Sequence, residues 1–79
     1  MWYFLIKQAL LDMAQHRDLQ RRAAITEIEI FNEPYGNWYI YGVERQSYPE
    51  FMDHLDSAGI TYELIAERPS REEMLMRMR

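Results

Sequence analysis

NEPYGNWYIYGVER, residues 32–45, decides the fold, because a turn and an aromatic strand meet in it. Glu33-Pro34-Tyr35-Gly36 has proline and glycine placed for a type I turn followed by a residue at positive φ, a common three-residue hairpin loop. NWYIYGVE is then a returning strand. The strand before it is AITEIEIFN, residues 24–32, which alternates with period two and is rich in isoleucine.

With that loop, Ile30 faces Ile40, Ile28 faces Gly42 and Asn32 faces Trp38 on one side of the hairpin. Phe31 faces Tyr39, Glu29 faces Tyr41 and Glu27 faces Val43 on the other. A slip by one residue would exchange the two sets. The first side is expected to be the core, joined by Ile60, Tyr62 and Leu64, with Trp38 at its centre or rim. The second is expected to be an open, outward face. It carries Phe31, Tyr39 and Tyr41 among Glu27, Glu29 and Glu63.

Outward from the hairpin, residues 2–21 read as a helix, since Trp2, Ile6, Ala9, Leu10 and Met13 recur at helical spacing. Residues 2–6 are apolar on every side, so a short opening strand is the alternative. SYPEFMDHLDSAGI is a helix. Ser47 and Glu50 suggest a capping box, Pro49 sits in the first turn, and Gly59 is placed for a left-handed end with Ile60 folding back on Leu55. ITYELIAE, residues 60–67, is a third strand. Ser70 and Glu73 repeat the capping pattern and open a short helix, SREEMLMRMR.

The expected class is therefore α+β. Its order is an N-terminal helix, a β-hairpin, a helix, a third strand and a short C-terminal helix, in a small sheet with helices on one face. The 79 residues are expected to form one domain. The position of the third strand, beside the second or beside the first, is left open. A chain of this length has a small core and gains from a stabilising partner. It has no cysteine, so disulfides and thiolate metal sites are excluded. Self-association is the device that remains. Met74, Leu75 and Met78 of the last helix are the expected contact, in a homodimer, with docking onto the chain's own domain the alternative.

The formal net charge of −4 is unevenly spread. Residues 24–67 carry Arg45 against nine carboxylates, while Arg17, Arg21, Arg22, Arg68, Arg71, Arg77 and Arg79 gather toward the ends. An acidic, aromatic face repels phosphate, which dominates nucleic-acid affinity, so DNA and RNA are unexpected partners there. It suits a protein with a basic surface, because arginine pairs with carboxylate while lying on a ring. Glu27, Glu29, Phe31, Tyr39, Tyr41 and Glu63 are the expected partner-binding residues. The alternative is a nucleic-acid-binding or regulatory module that uses the arginine-rich ends.

No apolar run reaches the roughly 20 residues of a membrane span, and WYFLI is too short for a signal-peptide core. A cytoplasmic location is expected. Catalysis is not. Ser47 and Ser70 read as caps, Ser57 sits by a helix end, no phosphate-cradling glycine loop exists, and His16-Arg17-Asp18 falls in a helix. Glu50, Asp53 and His54 have a spacing that could hold a metal, but also that of a solvated helix face, so no cofactor or metal is expected. In size, acidity and aromatic content the chain resembles the compact inhibitors of host machinery encoded by bacteriophages and mobile elements, including anti-CRISPR proteins. That resemblance implies a small binding protein or inhibitor and assigns no residues.

Overall fold

In the computed structural model, which describes residues 1–78, the chain is α+β. Its strands are β1 (Trp2–Lys7), β2 (Ile25–Glu29), β3 (Trp38–Val43) and β4 (Glu63–Ile65), and its helices α1 (Met13–Arg22), α2 (Tyr48–Ala58) and α3 (Arg71–Met78). The sheet order is β2-β3-β1-β4, with every neighbouring pair antiparallel. The third expected strand thus lies beside the N-terminal segment. Up to β4 the order is β-α-β-β-α-β, two interleaved crossover units in the split, ferredoxin-like arrangement.

The expected N-terminal helix is replaced by a strand and a later helix. Trp2 to Ile6 are aromatic, β-branched or leucine, and they suit a strand buried on both faces. Phe4, Leu5 and Ile6 are at most 1% exposed. A single 3-10 turn (Gln8–Leu10) leads to Asp12, which caps α1. Its carboxylate accepts from the Gln15 N–H at 2.8 Å, and the Gln15 amide oxygen accepts from the Asp12 N–H at 2.9 Å.

The hairpin register also differs. Ile28 pairs with Tyr39, Glu27 with Ile40 and Thr26 with Tyr41, an offset of three residues from expectation. The turn closes from Asn32 O to Tyr35 N at 3.0 Å, Glu33–Pro34 is cis, and the connection is longer than a three-residue loop. Gly36 has the positive φ expected of it, +69°. Gln8 holds the connection through its N–H to Asn37 O at 3.0 Å and its side-chain oxygen to Asn37 Nδ2 at 2.8 Å.

An odd offset exchanges the faces. Phe4, Ile6, Tyr39, Tyr41 and Val43 form the main core with Leu19 of α1 and Phe51 and Leu55 of α2. Phe4 packs on Phe51 with ring centroids 4.7 Å apart. The other face holds Leu5, Ile40 and Phe31, covered by Met74 of α3. Helices on one face therefore describes α1 and α2, while α3 lies across the second. Gly59 ends α2 at φ +70°, with Ile60 N bonded to Leu55 O at 3.0 Å, the expected left-handed stop. Ser47 begins α2 without a side-chain cap bond, so the first expected capping box does not form. The second does, between Ser70 and Glu73.

Candidate functional site

The second face of the sheet gathers most of the residues singled out in the sequence, and they bind each other. Parity along the strands puts Glu27 and Glu29 of β2, Ile40 and Trp38 of β3, Tyr3, Leu5 and Lys7 of β1, and Glu63 and Ile65 of β4 on this side. α3 spans it. Arg68, just before the helix, donates to Glu27 from Nε at 2.9 Å and from a terminal nitrogen at 3.1 Å. Arg71 donates to Glu29 at 2.9 Å and to Ile30 O at 2.6 Å, and its guanidinium lies 4.4 Å from the Phe31 ring centroid. At the far end Arg77 stands 3.8 Å from Glu63. The basic surface that complements these carboxylates is the chain's own C-terminal segment. Hydrogen bonding from Arg68 holds the Glu27 carboxyl below its usual range, and Glu27 raises Arg68.

Two expectations change as a result. Tyr39 and Tyr41 do not face outward. They are 7% and 0% exposed, under α1 and α2, because the register places them on the main core face. His16 of α1 stacks on Tyr39 with centroids 3.9 Å apart, and its Nδ1 lies 2.7 Å from the Tyr41 hydroxyl oxygen. Burial pushes the Tyr41 phenol far above its usual pKa, so it remains an O–H donor across the neutral range. Phe31 likewise is buried, at 6% exposure, beneath Arg71. The second change concerns α3. Met74 is 2% exposed, and Leu75 and Met78 pack against the same cluster, so these side chains dock within the chain. Met76, at 73%, is the outward methionine of this helix.

Between α3, the 33–37 loop and β1 a hollow of about 400 Å³ remains, lined by Leu5, Lys7, Pro34, Tyr35, Trp38, Glu63, Met74, Arg77 and Met78. The Lys7 ammonium sits 5.6 Å from the Trp38 ring centroid. Trp38 Nε1 is buried and has no acceptor among the described residues. Sequence reading did not find this hollow, since its two cations come from β1 and α3 and meet only once α3 crosses the sheet.

Elsewhere, Asp18 links the two main helices. It accepts from Arg22 at 2.9 Å and meets His54 Nε2 at 3.0 Å, and the Arg22 bond lowers its pKa. His54 thus turns toward α1, while Glu50 and Asp53 are exposed on α2. Among the described residues no group of three or more histidine, cysteine, aspartate or glutamate side chains is arranged to hold a metal ion. Of the basic residues at the ends, Arg21 and Arg22 both bond to Asp18, Arg17 is exposed and in none of the ion pairs among the described residues, and Arg79 lies outside the described residues. No helix among the described residues is long and apolar enough to cross a membrane.

The outer strand β2 is the other feature the sequence did not disclose. Ile25, Ile28 and Ile30 are 46%, 44% and 61% exposed. Alternation suggested that Ile28 and Ile30 are buried on one side, but β2 (Ile25–Glu29) is the sheet edge: Ile28 stays exposed on the Tyr39 side, Ile25 is exposed on the opposite side, and Ile30 is exposed just past the end of the strand. Compared with known proteins, the chain matches no family model, no curated protein and no solved structure.

Proposed function

We propose that this is a small non-enzymatic binding protein that works by protein–protein contact, and that its contact surface is the β2 edge. The observation that carries the reading is the exposure of Ile25 and Ile28 on an edge strand and of Ile30 just beyond its end. An edge offers unpaired backbone N–H and C=O groups to a neighbouring chain, and proteins usually blunt such edges with charge or short length. The opposite edge, β4, is blunted in that way, with three residues (Glu63–Ile65). β2 has five residues, and its carboxylates Glu27 and Glu29 are already bound by Arg68 and Arg71. Addition of a partner's extended strand is a recurring mode of recognition, with backbone bonds giving affinity and alternate side chains giving specificity. A partner on this edge needs an apolar strand rather than a basic surface. Such a contact could block a partner's own strand pairing, which is how a small inhibitor would work.

The arginine-rich ends lend little support to a nucleic-acid module. Arg21, Arg22, Arg68, Arg71 and Arg77 all have carboxylate partners, which a phosphate would have to displace. The homodimer expected from the sequence would use the same β2 edge rather than the α3 methionines, since its antiparallel self-pairing satisfies a twofold axis, and it would compete with the partner strand for that edge.

The test is capture from an extract of the source cells by tagged protein, run in parallel with Ile28→Lys and Ile30→Lys. A partner held by the parent and lost by both variants, with circular dichroism unchanged, is the expected result. Retention by both variants, or nothing held beyond a tag control, overturns the reading. Light scattering on the same three proteins measures the dimer.

A further inference from the structure

The hollow under α3 has the chemistry of a small-ligand site, and we propose that it binds a small aromatic carboxylate. Its floor is apolar, formed by Leu5 and Met74, which are 1% and 2% exposed. Tyr35 and Trp38 supply ring surface, suited to a flat partner. The volume of about 400 Å³ falls in the size range of small-molecule sites, roughly 300–1,000 Å³.

Charge selects the anion. Among the described residues the hollow has two cations, Lys7 and Arg77, and one carboxylate, Glu63, on a chain of net charge −4. Arg77 meets Glu63 only at 3.8 Å. Lys7 takes part in none of the ion pairs among the described residues. Its ammonium lies over the Trp38 ring, 5.6 Å from the centroid, so a carboxylate that meets the ammonium brings its own ring up against the indole and Tyr35. The local balance of +1 suits a single carboxylate. A nucleotide would bring more negative charge than the site can neutralise. The proposal does not depend on what binds β2.

The experiment is titration of the ¹⁵N-labelled protein with 2-naphthylacetate, followed by the side-chain indole N–H resonances. Trp38 lines the hollow, while Trp2 packs on Tyr48, with centroids 5.3 Å apart, and serves as the internal control. A saturable shift at Trp38 with Trp2 unmoved is expected, with Kd on the order of 1 mM or tighter, given the binding efficiency of ligands of this size. The neutral 2-naphthylacetamide should bind about fivefold more weakly, and Lys7→Gln should lose about the same factor for the carboxylate, as one solvated charge contact is worth. Lys7 is exposed, so that variant keeps the fold. Absence of a saturable Trp38 shift, Trp2 moving in step, or equal affinity for the amide or for the Lys7→Gln variant overturns the proposal.

Discussion

The Tyr41 hydroxyl oxygen and His16 Nδ1 lie 2.7 Å apart, joining the centre of the sheet to α1. Tyr41 is wholly buried, so its ring and its hydroxyl can be tested separately. Tyr41→Ala should cost about 3–5 kcal/mol, the range for deleting a buried aromatic ring. Tyr41→Phe keeps the packing and loses one hydrogen bond, about 0.5–1.5 kcal/mol. Urea denaturation of the two variants measures both. Equal costs would mean that the ring is not the buried element.

The same pair gives a pH dependence. Burial first, and the Arg17 charge second, lower the His16 pKa from its ordinary 6.5. The unfolded chain therefore takes up this proton more readily than the folded one. The contribution to stability is complete above about pH 6.5 and is lost as the pH falls from there toward the folded pKa. The double variant His16→Phe/Tyr41→Phe removes both partners of the bond and should flatten the stability profile in that window. An unchanged profile would assign the dependence to another group.

Helix ends offer a direct contrast. Gly59 sits at φ +70° with open space where a Cβ would stand, so Gly59→Ala meets only the backbone penalty, about 1–2 kcal/mol. Asp12→Ala and Ser70→Ala each remove a cap bond and should cost about 1 kcal/mol. Ser47→Ala should cost much less, because the Ser47 side chain makes no cap bond. Thermal unfolding of the four variants ranks them. A Ser47→Ala cost equal to that of Ser70→Ala would contradict the geometry at the start of α2.

Local signals were legible where they depend on neighbours in sequence. Gly59 with Ile60, Ser70 with Glu73, and the positive φ of Gly36 all follow from residues a few positions apart. The class and the later elements followed from the same signals. What failed depended on how many strands the sheet has. With residues 2–21 assigned to a helix, β3 had β2 as a neighbour, a third strand whose place was open, and one face to bury. Once Trp2–Lys7 becomes its second neighbour, β3 is central, Tyr39, Ile40, Tyr41, Gly42 and Val43 are all buried, and alternation no longer distinguishes inside from outside. The capping box Asp12–Gln15 was present in the sequence as a start signal for α1, and it would have freed residues 2–7 for a strand. The candidate site was legible in composition and not in geometry. Glu27, Glu29 and Glu63 do need basic partners, and the arginines that supply them lie some forty residues further on for the β2 pair, and fourteen for Glu63.

The docking of α3 is the most exacting consequence of that complementarity. An eight-residue helix gains too few backbone bonds to persist alone in water. It is held by Met74 at the centre and by arginine–carboxylate contacts toward both edges of the sheet. Met74→Ala should therefore cost about 2–5 kcal/mol, as for other buried methionines. Met74→Asp should release the helix and expose Leu5 and Ile40. Glu29→Gln weakens one end only and, being an exposed contact, should cost about 1 kcal/mol or less. Acid acts on the same end. Because Arg68 lowers the Glu27 pKa from its ordinary 4.5, the gain is present above about pH 4.5 and is lost as the pH falls through the folded value. Amide hydrogen exchange over residues 71–78 reports the docked helix without requiring global unfolding. Protection should vanish in Met74→Asp and decline on acidification, while the β1 and β3 amides stay protected. Loss of protection in all strands together with α3 would mean that the helix and sheet unfold as one unit, and that α3 is integral to the fold rather than a strap laid over it.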